Sequence, residues 1–239
     1  LILADHFSFQ QVYLLLAASL AVGIVTTLFC REPDVHEGTP KTFREAVIEP
    51  FIEYFTRERA LLILLFILLF KIGDQMASTM TIPFYLDIGF SKTEVGAVAK
   101  LFGFWATIIG GLLGGVLIIR IGIWRALLLF GILQGVSTAG FSLLAAVGKN
   151  IPLLTGVIAF ENLSSGMGTA AYVAYMASIT NKKFTATQYA LLSSLMGVPR
   201  VLASAPTGFM AESFGWVMFF ALCALIAVPG LFMLRWIDR

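Results

Sequence analysis

Apolar residues dominate the chain in long runs, and short polar segments separate these runs. A bilayer span needs about 20 mostly apolar residues, and seven stretches approach or exceed this length. They are residues 12–30, 60–86, 93–119, 125–147, 152–180, 187–211 and 215–236. The pattern predicts an all-α transmembrane bundle of about seven spans that alternate in direction.

The composition supports a membrane protein. Hydrophobic residues make up 59% of the chain and charged residues only 13%, whereas an ordinary soluble domain is about 25% charged. The formal net charge of +2 gives no sign of a nucleic-acid partner. The bilayer is therefore the expected surroundings of the helices.

Lysine and arginine residues are distributed unevenly between the two predicted sides. One side has only Lys92 and Lys149 outside the spans. The other side carries Arg31, Lys41, Arg44, Arg57, Arg59, Arg120, Arg125, Lys182, Lys183, Arg235 and Arg239. The positive-inside rule predicts that this second side is cytoplasmic. The C-terminus and the 31–59 loop would then be cytoplasmic as well.

The 31–59 connection is itself predicted to contain an amphipathic helix. Apolar side chains recur every four residues along one face, at Phe43, Val47, Phe51 and Phe55. Acidic side chains recur at the same interval along a different face, at Glu45, Glu49 and Glu53. The segment would lie along the cytoplasmic membrane interface or form a simple solvated helix. Pro50 is expected to interrupt or kink it.

Charged residues inside the second span are the main chemical signal. Lys71, Asp74 and Gln75 are spaced at i, i+3 and i+4, so they project from one helix face, which Ser78 extends. Each charge at the bilayer centre costs about 2.5–3.5 kcal/mol on insertion scales. The pair would therefore line a functional polar cavity, or it would form an internal salt bridge without further role.

The fifth span adds Glu161 and Asn162, and a buried carboxylate of this kind can exchange a proton. Lys100, Gln134 and Arg200 lie in other spans. Three cations (Lys71, Lys100, Arg200) against two carboxylates (Asp74, Glu161) leave a surplus of one positive charge. This surplus would suit an anionic substrate. Alternatively, Arg200 pairs with Glu161 or Asp74 as a fixed brace.

Two local patterns concern helix structure. Ser91 followed by Glu94 predicts a capping box at the start of the third span. Within that span, glycines form two overlapping small-xxx-small pairs, which predict close helix packing. They are Gly110, Gly111, Gly114 and Gly115.

Signatures of enzymes and metal sites are not found in the sequence. It contains no G-x-S-x-G, H-E-x-x-H or P-loop pattern, so we expect no enzyme activity. Cys30 and Cys223, like His6 and His36, lack metal-ligand spacing. We therefore expect no metal and no cofactor other than a proton gradient.

Several motifs carry a resemblance to a known family. The loop Gly115-x-Leu117-x-Ile119-Arg120-x-Gly122-x-Trp124-Arg125 resembles the loop motif of major facilitator superfamily transporters, although Ile119 stands where Asp is usual. Within that superfamily, four further blocks resemble the AmpG-type muropeptide permeases. The blocks are Lys71–Asp74, Phe130–Gly135, Phe160–Leu163 with Gly166–Thr169, and Phe184–Ser193.

This resemblance implies a proton-driven carrier of the bacterial inner membrane that imports anhydromuropeptides for cell-wall recycling. Asp74 and Glu161 would couple protons, and Gly115, Arg120, Gly122 and Arg125 would form a gating loop. Substrate would be bound by Lys71, Gln75, Lys100, Gln134, Asn162, Gln188 and Arg200. A carrier of another solute, such as a drug or acetyl-coenzyme A, or a non-transporting membrane scaffold remain the alternatives.

The resemblance also implies a domain organisation. Residues 1–30 would be the last helix of an N-terminal half, residues 31–59 the cytoplasmic linker, and residues 60–239 a six-helix transport domain. The partner would be the missing N-terminal half, without which we expect no transport.

Overall fold

The computed structural model describes residues 9–30 and 42–237, and the regular structure in these ranges is helical. The chain divides into two units, Leu1–Thr39 and Pro40–Arg239. The first unit contains helix α1 (Phe9–Phe29). Five residues named above lie outside the described ranges; they are His6, Arg31, His36, Lys41 and Arg239.

The second unit is a helical bundle with short connections. Its α-helices are α2 (Glu49–Thr56), α3 (Ala60–Asp87), α4 (Lys92–Val98), α5 (Phe104–Ile121), α6 (Ile123–Val147), α7 (Ile151–Ile179), α8 (Thr185–Leu195), α9 (Gly197–Leu202), α10 (Thr207–Ile226) and α11 (Val228–Ile237). π-helical turns at Arg44–Ile48 and Ala99–Gly103 lead into α2 and α5, and a 3-10 turn at Lys182–Phe184 leads into α8.

Within residues 9–30 and 42–237, four helical segments are long and apolar enough to cross a membrane, compared with the seven stretches expected from the whole sequence. They are Ala60–Asp87, Lys92–Ile121, Ile123–Val147 and Thr207–Ile237. Helix α7 has the expected length, but Glu161 and Asn162 lower its mean hydropathy. The 187–211 stretch is divided among α8, α9 and the start of α10. In α1 the described apolar segment is shorter, Ala17–Phe29.

The chain reverses direction at Gly215. Arg59, just before α3, donates to the Trp236 carbonyl over 2.8 Å, while Trp216 packs on Phe84 near the other end of α3 with ring centroids 5.3 Å apart. The segment after Gly215 is therefore antiparallel to α3. Gly215 has φ 73° and ψ 164°, a conformation open almost only to glycine. This reversal falls between the two predicted spans 187–211 and 215–236.

Two of the four glycines in the small-residue pattern bring α5 and α7 into close contact. A Cβ atom on Gly110 would lie 2.3 Å from the Leu163 carbonyl oxygen, and one on Gly114 would lie 2.9 Å from Met167 Cα. Gly111 and Gly115 face open space. The predicted close packing is thus confirmed for one pair, Gly110 and Gly114, and not for the other.

The start of α4 and the linker helix also follow local sequence rules. Ser91 and Glu94 form the predicted capping box, with both reciprocal hydrogen bonds present.

The linker helix consists of the π turn Arg44–Ile48 and α2, and it continues through Pro50 instead of ending there. Pro50 and Tyr54 are buried against the bundle, while the expected apolar stripe of Phe43, Phe51 and Phe55 is exposed.

The core consists of two hydrophobic clusters with polar residues between them. One cluster surrounds Phe66, Phe70, Phe130 and Tyr172, and the other surrounds Met76, Phe84, Phe141 and Phe220. Helices α3, α6 and α7 each contribute residues to both clusters, and on each helix a mainly polar segment separates the residues of one cluster from those of the other. These segments are 71–75 on α3, 134–138 on α6 and 161–165 on α7. These three polar segments therefore lie at the same height in the bundle, and we call them together the polar layer.

Candidate functional site

An ion pair on α3 forms one side of the polar layer. The Lys71 ammonium lies 3.0 Å from Asp74 Oδ2, and the side chains are only 5% and 12% exposed. The pair is held one helical turn apart, as the i, i+3 spacing predicts. A buried pair of this kind is stable only while both partners are present, because removal of one leaves an uncompensated charge.

Glu161 on α7 faces this pair. Its carboxyl group interacts with the Asp74 carboxyl and with the Lys71 charge, so two acidic groups and one cation meet inside the bundle. Ser137 on α6 hydrogen-bonds Glu161 Oε2 over 2.5 Å. The Ser137 hydroxyl also lies 2.9 Å from the Gln134 carbonyl oxygen. One hydroxyl group thus connects the acidic cluster to the backbone of a third helix.

Asp74 and Glu161 line a polar cavity of about 280 Å³ between α3, α6 and α7. The other residues around it are Gln75, Ser78, Thr81, Tyr85, Phe141, Asn162 and Ser165. Hydroxyl, amide and carboxyl groups dominate this lining. The structure therefore brings together four of the predicted site residues, Asp74, Gln75, Glu161 and Asn162, with Lys71 directly behind Asp74.

The position of Asn162 is set by its contacts with two helices. Its Nδ2 donates to the Ile158 carbonyl oxygen over 2.8 Å, and its Oδ1 accepts from the Thr107 hydroxyl over 3.0 Å. Gly103 allows this approach, because a Cβ atom there would lie 3.2 Å from Asn162 Nδ2. The second amide proton of Asn162 has no acceptor among the described residues and is available to the cavity.

Gln134 lies in the polar layer but does not line this cavity. Its side chain is 5% exposed, and its Nε2 has no hydrogen-bond partner among the described atoms. It borders a separate small void of about 10 Å³ with Asp74 and Thr138. Gly168 on α7 packs directly on its amide, since a Cβ there would be 2.6 Å from Gln134 Oε1.

Lys100 and Arg200 are not part of the acidic cluster. Both are exposed, and the described ion pairs include neither. The brace between Arg200 and Asp74 or Glu161, considered from the sequence, is therefore wrong for this structure. Lys100 lies in the π turn Ala99–Gly103, on the wall of a second, larger pocket next to the cavity.

Gln188, predicted to bind substrate, lies instead at the contact between the linker helix and α8. Its amide donates to the Pro50 carbonyl oxygen over 3.1 Å and to Glu53, and its carbonyl accepts from the Asn181 amide over 2.8 Å. The side chain is 1% exposed. These bonds occupy its polar atoms, so the geometry gives Gln188 a structural contact and no access to the cavity.

Glu53 is the acidic partner in this linker contact. Arg57 binds its carboxylate through Nε and Nη2 at 3.1 and 2.8 Å, and Asn181 donates to it over 3.2 Å. Burial by itself would raise the pKa of Glu53, but the hydrogen bonds from Arg57, Gln188 and Asn181, with the Arg57 charge, outweigh it and hold the pKa below its ordinary value. Arg57 also donates to the Ile179 carbonyl oxygen, so one network joins α2, α7 and α8.

Comparison with known proteins fits this arrangement of helices. The family model of the Major Facilitator Superfamily matches residues 1–160 and, in a second overlapping match, residues 72–239. The chain belongs to the Major Facilitator Superfamily. As a major facilitator chain it is a multi-pass membrane protein of all-α fold, as the sequence predicted.

The similar proteins of this superfamily include named permeases. The chain is 44% identical over 234 residues to the anhydromuropeptide permease of Escherichia coli (strain K12), covering 97% of this chain and 48% of that protein. It is 37% identical to an uncharacterized protein of Haemophilus influenzae, over 99% and 59% of the two chains. A Rickettsia felis protein carrying the AmpG 4 name is 33% identical, over 97% and 57%. The chain spans about half the length of these curated relatives.

The major facilitator loop motif connects α5 to α6. Gly122 is the single residue between the two helices, with φ 81° and ψ 160°, so only glycine fits there without strain. Arg120 and Arg125 are exposed on either side of it. Gly115 lies within α5 with open space around it. The gating role of these four residues stays a prediction.

Some residues around the site were not assigned from the sequence. Ser137, Thr81, Tyr85 and Thr107 either line the cavity or hydrogen-bond its wall. Hydroxyl side chains are common in membrane helices, so their type alone did not select them. The usable signal for Ser137 was its position one turn from Gln134, on the polar face of α6.

Proposed function

We propose that this chain forms part of a proton-coupled carrier that imports anhydromuropeptides across the bacterial inner membrane for cell-wall recycling. The observation that carries the proposal is the acidic cluster of Asp74 and Glu161, with Lys71 paired to Asp74, on a polar cavity inside the bundle. Intramembrane ionisable groups around a cavity are typical of transport pathways. The proposed substrate is taken from the similarity to an anhydromuropeptide permease.

Ser137 offers a physical route for coupling. While Glu161 is ionised, the Ser137 hydroxyl donates to it. Once Glu161 is protonated, its carboxyl group can donate to Ser137 Oγ, and the Ser137 proton then turns to the Gln134 carbonyl oxygen 2.9 Å away. Both charge states keep their hydrogen bonds, and proton uptake changes the charge balance around Lys71.

Transport is proposed for an assembly of this chain with the remaining part of such a carrier, because the relatives that it matches are about twice as long. Carriers of this kind bind substrate between two helical halves and expose it alternately to each side. The cytoplasmic location of the 31–59 loop and of the C-terminus, deduced from the lysine and arginine distribution, belongs to this proposal.

The test is uptake of labelled anhydromuropeptide into membrane vesicles with an imposed pH gradient. The chain is co-expressed with the matching first half of a carrier, and Asp74→Asn and Glu161→Gln are compared with Glu212→Gln, an exposed carboxyl control on α10. We expect gradient-dependent uptake that is lost in the first two variants and kept in the third. Full gradient-dependent uptake by both cavity variants would refute the coupling role. Uptake of acetyl-coenzyme A alone would refute the substrate.

A further inference from the structure

A second pocket, larger and more apolar than the polar cavity, opens beside it. Its volume is about 520 Å³, within the range of small-molecule sites. It lies between α3, the segment from α4 through the π turn, and α7. The lining residues are Thr81, Ile82, Tyr85, Leu86, Lys92, Val95, Gly96, Ala99, Lys100, Ile158 and Asn162.

The pocket and the polar cavity share part of one wall. Thr81, Tyr85 and Asn162 line both the pocket and the polar cavity. Tyr85 is buried, and its ring packs on Phe84 and Phe141, so the position of this part of the wall is fixed by core packing. A ligand that fills the pocket therefore lies next to the cavity that Asp74 and Glu161 line.

The charges of the pocket are all positive. Among the described residues that line it, Lys92 and Lys100 are the ionisable side chains besides the Tyr85 phenol, and none is a carboxylate. The ion pairs found in residues 42–237 leave both ammonium groups without an acidic partner. By contrast, Lys149, at the same end of the bundle, pairs with Glu94 at 3.1 Å.

An unpaired Lys100 requires an explanation, because it lies within the membrane-span segment Lys92–Ile121. A lysine exposed to lipid there would cost about 2.5–3.5 kcal/mol at the bilayer centre. Lys100 lies at the start of the π turn Ala99–Gly103, and it lines one pocket together with Lys92. Such π turns are frequent at functional sites.

We propose that this pocket binds the carboxylate-bearing part of an amphipathic solute, with Lys100 as the inner anchor and Lys92 as the outer one. This inference rests on the proposed transport function and adds how the substrate is selected. The apolar walls formed by Ile82, Val95 and Ile158 would contact the aliphatic part of the solute. The free amide proton of Asn162 would bind a hydroxyl or carbonyl group where the two spaces meet.

The test measures equilibrium binding and uptake separately, in the assembled carrier. The probes are labelled anhydromuropeptide with free peptide carboxylates and the same compound with these carboxylates amidated. The native carrier should bind the free acid about tenfold or more tightly, as expected for charge-assisted hydrogen bonds. Lys100→Gln should abolish this preference, Lys92→Gln should reduce it, and Lys100→Arg should keep it. Lys149→Gln, a lysine outside the pocket, should leave it unchanged.

The outcomes separate this inference from the transport proposal. Equal binding of both probes by the native carrier, or an unchanged preference in the Lys92→Gln, Lys100→Gln double variant, would overturn the pocket assignment even if uptake were intact. A preserved carboxylate preference with no uptake would support the pocket and refute transport. If Lys100→Gln instead separated the chain from the rest of the carrier, Lys100 would pair with that part, and the inference would be wrong.

Discussion

The Ser137 hydroxyl on α6 and the Glu161 carboxyl on α7 are hydrogen-bonded over 2.5 Å inside the bundle. This bond joins α6 to α7 through one ionisable side chain, Glu161, and one that stays neutral, Ser137. Because the Gln134 carbonyl oxygen lies 2.9 Å from the same hydroxyl, Ser137 can rotate between acceptors.

Ser137→Ala should lower the free energy of unfolding by about 1–3 kcal/mol, because a buried carboxyl group would lose its donor. Ser137→Thr should keep most of this stability, since it keeps the hydroxyl. Thermal unfolding of the detergent-solubilised chain provides the measurement. Equal stability of the alanine variant and the native chain would show that the hydrogen bond contributes nothing.

Variants of the Lys71–Asp74 ion pair can distinguish a carrier from a non-transporting scaffold. Lys71→Met alone should destabilise the fold by about 3–5 kcal/mol, because it leaves the Asp74 charge buried without its partner. Lys71→Met with Asp74→Leu should restore stability to the native value or above it. We nevertheless expect the double variant, assembled with the rest of a carrier, to show no gradient-dependent uptake. Native uptake by a stable double variant would support the scaffold interpretation.

Gly168 provides a test of packing in the polar layer. Gly168→Ala should cost about 1–3 kcal/mol, because the new methyl group would overlap the Gln134 amide on α6. Gly156→Ala on the same helix is the matched control, since nothing lies within 4 Å of its Cβ position. The control should be neutral or stabilise the helix by up to about 1 kcal/mol. Adding Gln134→Ala to Gly168→Ala should remove the overlap and recover part of the lost free energy of unfolding. Chemical unfolding of the three variants and the native chain provides the measurement.

The linker contact predicts a dependence of stability on pH. The pKa of Glu53 is lower in the folded chain than its ordinary value of 4.5. Its ion pair with Arg57 therefore contributes stability above the unfolded-state pKa, and this contribution is lost as the pH falls through the folded-state pKa. Protease accessibility of the 42–59 segment should rise over this acidic range in the native chain. Glu53→Gln should show high accessibility already at neutral pH and little further change on acidification.

An unchanged pH profile in Glu53→Gln would mean that other carboxyl groups control the docking of the linker. Glu58→Gln serves as a control for this experiment, because Glu58 is exposed next to the network. It should follow the native profile.

Much of the bundle could be predicted from the sequence because hydropathy and backbone hydrogen bonding act locally. A long apolar run in lipid must form a helix, and Ser91 with Glu94 specifies a helix start through side chains three residues apart. The Lys71–Asp74 pair belongs to the same class, since a single helical turn separates its partners. The membership of the superfamily also followed from local motifs.

The remaining features depend on how each helix is rotated and placed, which no local pattern records. Gln188 and Asn162 are both amides on membrane helices, yet one is used up by the Pro50, Glu53 and Asn181 contacts and the other faces the cavity. Likewise, the spacing Gly110, Gly111, Gly114 and Gly115 could not show which pair meets α7. Helix packing decides such contacts, because a rotation of about 100° per residue separates neighbours in sequence.

The sequence by itself thus determined the helices, their apolar character and the presence of intramembrane charges, because each of these depends on residues within one turn or one span. Only the tertiary structure decided that the polar segments of α3, α6 and α7 meet at one level, that Glu161 faces Asp74 through a shared cavity, and that Lys92 and Lys100 line the adjoining pocket. These relationships join residues up to about 90 positions apart in the chain, and they arise from side-chain packing between helices.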